Sequence, residues 1–258
     1  MERVTETARA VLAFGTRENQ RVIVKVIKRC GDEWRSGEVL NAFDGQGVVR
    51  VFDYEEGAML LEWLGPGRSL ASVALEGKDD EATRILVKTI RTMSARTVPA
   101  GLPTVSDWRE SFPRYLSTGD AQIPKPLVLD AHRVFSDLCE SQTHVRLLHG
   151  DLQHYNVLFD AERGWLAIDP KGVIGELEYE VGSMLRNPCE KPWEFLELPI
   201  INKRVDCLVD ELDLSRERVL KWAFSQAVLA AIWAIEDGFE IECTPPWIDF
   251  ATVLRSIL

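Results

Sequence analysis

The chain lacks the short signatures that most often settle a protein's chemistry. No G-x-x-x-x-G-K-[ST] occurs, which argues against a P-loop enzyme. No G-x-S-x-G elbow marks a serine hydrolase. The five cysteines, Cys30, Cys139, Cys189, Cys207 and Cys243, form no C-x-x-C pair, which argues against a zinc site and a disulfide framework and fits a reducing compartment. Long apolar runs are missing too: the longest, Ala227 to Ile235, is too short to span a bilayer. Met1-Glu2-Arg3-Val4-Thr5-Glu6 opens no signal peptide. A soluble, cytoplasmic protein without membrane contact is the expectation. Basic excess is absent as well: 41 acidic side chains face 30 basic ones, a net charge of −11. Phosphate repels such a chain, so nucleic acid is not an expected partner. The same charge serves solubility, or a cleft that draws a cationic ligand, and composition does not choose between them.

What is present is a core and a pattern. With 46% hydrophobic residues in 258, the chain can build one large domain or two lobes. Arg9 to Phe14 and Arg21 to Ile27 read as a hairpin turning at Gly15 to Gln20. Asp32 can cap a helix running to Phe43, with Trp34, Leu40 and Phe43 on its buried face. Val48 to Tyr54 and Ala58 to Leu64 form a second hairpin around Glu55-Glu56-Gly57. After Gly65-Pro66-Gly67 the period changes from two to near 3.6. Helices are expected over 81–95, over 127–138, and from Ser215 to Gly238. These elements predict an α+β protein of two lobes, 1–64 and 65–258, the first a small antiparallel sheet and the second mostly helical, with a ligand in the cleft.

One segment carries the chemistry. In Leu148-His149-Gly150-Asp151-Leu152-Gln153-His154-Tyr155-Asn156-Val157-Leu158 a polar loop lies between apolar runs, and Asn156 follows Asp151 by five residues. The apolar strand Trp165-Leu166-Ala167-Ile168 then delivers Asp169. Protein-kinase-like phosphotransferases use that order: the first Asp orients and deprotonates a hydroxyl, while the Asn and second Asp hold magnesium on nucleotide phosphates. Each residue alone would be ordinary turn chemistry, but the three together point to phosphoryl transfer to an alcohol. His149 and His154 read either as loop-shaping hydrogen-bond partners or as metal-binding or proton-shuttling groups. Lys25 lies in a hydrophobic strand. It is either an edge lysine pointing to water or a group that reaches α/β-phosphates, with Glu38 on the following helix as its partner. Lys28, three residues on, points to the opposite face. Gly45-Gln46-Gly47 follows the helix and reads as a turn.

These residues resemble the aminoglycoside phosphotransferases, a branch of the protein-kinase-like fold, and within it the aminoglycoside/hydroxyurea resistance kinases, which include the streptomycin phosphotransferases. His149-Gly150-Asp151-Leu152 with Asn156 matches the catalytic loop of the superfamily. Ala167-Ile168-Asp169-Pro170-Lys171-Gly172, Tyr179-Glu180-Val181-Gly182 and Leu185-Arg186-Asn187-Pro188 are similar to that branch. Leu60 to Leu70 resembles its hinge, and Trp222 to Ala227 with Glu236-Asp237 resembles its last helix. The resemblance implies ATP- and Mg2+-dependent phosphorylation of a small, cationic, hydroxylated molecule of streptomycin type. Asp151 would be the base, Asn156 and Asp169 the metal ligands, and Lys25 and Glu38 the phosphate anchor. Backbone at Glu62, Trp63 and Leu64 would bind adenine. Glu236 and Asp237 would face a cationic substrate, or are simply helix-end acids. Lys171 reads as a phosphate or substrate contact, or as a surface lysine.

One departure stands out. The family places a first strand and a glycine-rich phosphate cover before the lysine strand, whereas here 24 residues precede Lys25. The N-lobe thus reads as truncated, with phosphate grip from Lys25 and metal alone and weak ATP affinity. Two further readings stay open: a kinase for a sugar or amino-alcohol metabolite, and a pseudokinase or nucleotide-binding module.

Overall fold

A computed structural model describes residues 3–258; Met1 and Glu2, which open the expected first lobe and the segment read for a leader, lie outside the described residues. Packing divides the chain into two compact units, residues 1–102 with 149–173, and residues 103–148 with 174–258. The glycine-proline connector at 65–67 is therefore not where packing changes hands: the segments after it, and the Asp151 loop, cluster with the N-terminal sheet.

The first unit contains a five-stranded antiparallel sheet. Its strands are β1 (Arg3–Glu6), β2 (Ala10–Arg17), β3 (Gln20–Ile27), β4 (Val51–Glu55) and β5 (Ala58–Glu62), in the order β1-β2-β3-β5-β4. Both expected hairpins form, but the first turns tightly at Glu18-Asn19 and not over Gly15 to Gln20, since Gly15 to Arg17 continue β2 and Gln20 already belongs to β3. Strand β1 corrects the expectation of a missing first strand: Arg3 pairs with Phe14 and Glu6 with Val11. All four of its residues are exposed, so no alternation of apolar and polar positions marks it in sequence. Strand β3 places Ile23, Lys25 and Ile27 on one face, with Lys25 beside Leu12 of β2 and Met59 of β5.

Helix α1 (Ser36–Phe43) starts three residues later than a cap at Asp32 suggests, and Arg35 at its N-cap makes no side-chain cap. Tight turns precede it, Trp34 N–H donating to Gly31 O at 2.9 Å and Ser36 N–H to Glu33 O at 3.0 Å. Asp32 is held by Lys171 at 3.2 Å and does not cap the helix. Val39, Leu40 and Phe43 form the buried face. Trp34 leaves that face and packs over Gly57, where a Cβ would come within 2.5 Å of the indole at a φ of +75°; only glycine fits there.

A second sheet of this unit carries the Asp151 loop. Its strands run Pro66–Ser69, Val157–Asp160, Gly164–Ala167 in spatial order. The last two form a hairpin with Leu158 opposite Leu166. Ala167 N–H donates to Gly47 O, and Val49 N–H donates to Ala167 O, both at 2.9 Å. The Gly45–Gly47 turn thus anchors the strand that delivers Asp169.

The second unit is built around the helix Arg216–Glu236, capped by the Ser215 hydroxyl accepting from Arg218 N–H. This helix is longer than its uninterrupted apolar run, and by length and composition alone it could cross a bilayer, but 67% of that stretch is buried as in a core helix. Helices Lys125–Glu140 and Trp247–Arg255 pack on it. Beneath them lies Glu176, only 1% exposed. Its carboxylate accepts from Arg218, from the Trp222 indole N–H and, at 3.3 Å, from Thr143 N–H. Removing one partner of a buried ion pair strands the other. Glu176→Ala is expected to cost about 3 kcal/mol, the low end for such pairs because Arg218 keeps partial access to water. A urea midpoint equal to wild type would contradict this role.

Candidate active site

The loop is shaped from inside by His149, which is fully buried. Its Nε2 lies 2.8 Å from Ile168 O, and its Nδ1 accepts from Asp151 N–H at 3.3 Å. A carbonyl only accepts and an amide only donates, so the ring is neutral with its proton on Nε2. His149 O in turn accepts from Lys171 N–H and Gly172 N–H at 2.9 and 3.0 Å. Of the two readings of this histidine, the loop-shaping one is formed. Burial pushes its pKa below the ordinary value, against the opposing pull of Asp151 and other groups.

The unfolded chain therefore takes up a proton that the folded one resists. His149's share of stability is present above its unfolded pKa of about 6.5 and is lost as pH falls below it. Denaturant midpoints measured from about pH 7.5 down to about pH 5.5 should fall less steeply in His149→Phe than in wild type. Equal slopes would refute the assignment.

Asp151 and Asn156 face each other across a short 3-10 turn, His154–Asn156, capped by Gln153. Asn156 Nδ2 donates to Asp151 O at 2.9 Å and to Asp151 Oδ2 at 3.3 Å. With the amide nitrogen spent on Asp151, the amide oxygen is the end offered to a cation. His154 is buried and its carbonyl accepts from the Ser69 hydroxyl at 3.2 Å. Asp169 follows with φ +57°, a conformation a non-glycine residue adopts at a cost, so the backbone holding this carboxylate is over-determined by its surroundings. Ser36 supplies part of that hold, donating to Pro170 O at 2.5 Å.

Lys25 closes the constellation. Its side chain is 4% exposed, and Nζ lies 2.8 Å from Asp169 Oδ1 and 2.9 Å from Glu33 Oε2. Burial works against its charge more than any other single influence, yet the two carboxylates together outweigh burial and its pKa is raised. The expected Lys25–Glu38 pair is not formed. Glu38 accepts from Arg35 Nε at 2.8 Å, and Arg35 continues to Ala100 O at 2.8 Å. Glu33, in the turn before α1, takes the partner's place. Starting the helix at Asp32 misdirects this choice, because Glu33 then counts as helical and Glu38 as the residue facing the sheet.

Among the described residues no three His, Cys, Asp or Glu side chains are grouped to hold a metal. Asn156 and Asp169 are two hard oxygen donors, a set that suits Mg2+ when phosphate and water oxygens complete the shell.

Residues 3–238 match the family model described as aminoglycoside/hydroxyurea antibiotic resistance kinase. The chain belongs to this family. It is 35% identical over 217 residues to a streptomycin 3''-kinase of Klebsiella pneumoniae, covering 82% of this chain and 79% of that one. It is 29% identical to a streptomycin 6-kinase of Streptomyces griseus, covering 77% and 66%, and 29% identical to a hydroxyurea phosphotransferase of Kitasatospora aureofaciens, covering 80% and 61%. The fold is similar to that of an aminoglycoside phosphotransferase mutant in ternary complex with ADP and hygromycin B (TM-score 0.71, 14% identity, 98% and 93% covered). It also resembles a choline kinase of Streptococcus pneumoniae (TM-score 0.65, 17% identity, 99% and 93% covered). The protein is a small-molecule kinase of protein-kinase-like fold, a phosphotransferase with an alcohol group as acceptor.

The remaining residues expected to serve this kinase are placed less uniformly. The Glu62 carboxylate accepts from Arg50 N–H at 2.6 Å and pairs with Arg163, so its side chain braces the hinge. The N–H groups of Glu62 and Trp63 donate to Arg50 O and Arg21 O at 3.0 and 3.2 Å. The amide N–H groups of Glu62 and Trp63 are thus engaged within the protein, and Leu64 is buried. The Trp63 ring is covered by the Arg21 guanidinium at 3.5 Å. In the second unit Glu236 is held by Arg114 through two bonds, at 2.7 and 3.0 Å, so its charge is already matched. Asp237 is the C-cap of the same helix and is exposed.

Proposed function

We propose that this kinase transfers the γ-phosphate of ATP to a hydroxyl of a streptomycin-like aminoglycoside, in the cytoplasm and with Mg2+. The observation that carries the reading is the assembly of Asp151, Asn156, Asp169 and Lys25 within one compact unit. Asp151 aligns the acceptor hydroxyl and takes its proton late. Asn156 fixes that carboxylate through its N–H and keeps its oxygen for the metal. Lys25, oriented by Glu33, anchors the α/β-phosphates. Mg2+, when held by Asn156 and Asp169, supplies neutralisation of charge on the transferring phosphate. Residues 1–64 handle the nucleotide and the helical remainder the acceptor, with the Leu64 backbone at adenine. A binding module has no need of Asp151, so retention of the whole set supports an enzyme over a pseudokinase.

The net charge of −11 and the kinship to streptomycin kinases support a cationic acceptor. The Arg114–Glu236 pair weakens one of the two acids invoked for it. A neutral acceptor is the second reading, favoured by that pair and by the hydroxyurea phosphotransferase relative. Incubation with Mg-ATP and, separately, streptomycin, hygromycin B and hydroxyurea, followed by mass spectrometry of the acceptor, decides between them. Phosphorylated streptomycin is the expected product. Modification of hydroxyurea alone would establish the second reading.

A further inference from the structure

The turn joining β1 to β2 is Thr7-Ala8-Arg9 and contains no glycine. It is nevertheless tied at both limbs. Thr7 Oγ1 accepts from Ala10 N–H at 2.9 Å and from Arg9 N–H at 3.3 Å. Thr7 N–H donates to Ala10 O at 2.8 Å and Lys28 N–H to Arg9 O at 2.9 Å. The Lys28 ammonium donates to Thr7 O and pairs with Glu6, both at 2.5 Å. An ordered turn thus presents one long cationic side chain, Arg9.

The Arg9 side chain is 63% exposed, and its Nη1 stands 3.9 Å from Glu33 Oε1. The other oxygen of that carboxylate holds Lys25, which holds Asp169. Arg9 is therefore one carboxylate removed from the phosphate anchor Lys25, and one group further from the metal ligand Asp169. A largely exposed pair at this distance is worth little, so the contact with Glu33 places Arg9 beside the anchor more than it fixes the guanidinium. A guanidinium offers five donors in a fork that matches phosphate.

We infer that Arg9 is a nucleotide-phosphate ligand of this kinase, its guanidinium serving where backbone N–H groups of a glycine-rich turn would otherwise cover the phosphates. The inference rests on the reading above, in which Lys25 and Asp169 hold the nucleotide. It replaces the expectation that phosphate grip comes from Lys25 and metal alone.

Calorimetric titration with Mg-ATP, Mg-ADP and adenosine tests it on wild type, Arg9→Ala, Arg9→Lys and Arg17→Ala, the last an exposed cation at the other end of β2. Arg9→Ala should weaken ATP about tenfold, the scale of one lost charge-assisted bond, and ADP by a similar or smaller factor. Adenosine should stay within about twofold of wild type. Arg9→Lys should fall between, and Arg17→Ala should match wild type. ATP binding unchanged in Arg9→Ala would overturn the inference and leave the kinase reading intact. Parallel losses for ATP and adenosine would make Arg9 a brace for the sheet and overturn it too. No nucleotide binding by wild type would sink the kinase reading itself, and the inference with it.

Discussion

Asp151→Asn is expected to lower kcat about a thousandfold, within the range for loss of a general base, while Mg-ATP affinity stays near wild type. The substitution keeps the shape of the side chain and its reach to Asn156 Nδ2, 3.3 Å from Asp151 Oδ2. What it removes is a carboxylate able to receive the acceptor's proton. The loop itself is held by other groups. His149 bridges Ile168 O and Asp151 N–H, and Asn156 holds the backbone carbonyl of Asp151 at 2.9 Å. Both survive the change. A split between kcat and nucleotide binding is therefore the signature of the base role. Parallel loss of both would mean that Asp151 acts on the shape of the loop.

Lys25→Met is expected to lower kcat/KM for ATP at least a hundredfold, on the scale seen when one preorganised charge-stabilising donor is removed. The lysine is the cation shared by Glu33 and Asp169 at 2.9 and 2.8 Å. Without it the two carboxylates confront each other and the incoming phosphates. The same geometry separates the two candidate partners. Glu33→Gln should reproduce part of the defect, about tenfold, because it leaves Lys25 with Asp169 as its remaining charged partner. Glu38→Gln should leave steady-state kinetics close to wild type, since Glu38 serves Arg35. Equal damage from the two glutamine substitutions would return Glu38 to the anchor.

The parts legible in sequence are those whose information is local. Asp151, Asn156 and Asp169 lie within nineteen residues of one another, and the strand and hairpin between them fix their relation. That is why spacing alone brings them to one place. The hairpins of β2–β3 and β4–β5 carry alternation and turn residues, and the helix Arg216–Glu236 carries a wide apolar stripe with a serine cap. Strand β1 is different: it is short and exposed on every residue, so only its pairing with β2 defines it. The start of α1 is lost because Asp32, a good cap by residue type, is drawn to Lys171, 139 positions away in sequence. The partners of Glu62 and Glu236 were beyond reach for the same reason. Arg163 and Arg114 lie 101 and 122 residues from them, and such pairings depend on tertiary packing that residue type does not encode.

The most direct measurement is acceptor-dependent ADP formation by wild type and Asp151→Asn side by side, with streptomycin as acceptor, in the presence and absence of Mg2+. Turnover that requires streptomycin and Mg2+ together, and that collapses in the variant while Mg-ATP still binds, is the predicted result. Streptomycin turnover that survives in Asp151→Asn, or that proceeds undiminished without a divalent metal, would contradict the assignment of Asp151 as base and of Asn156 and Asp169 as metal ligands.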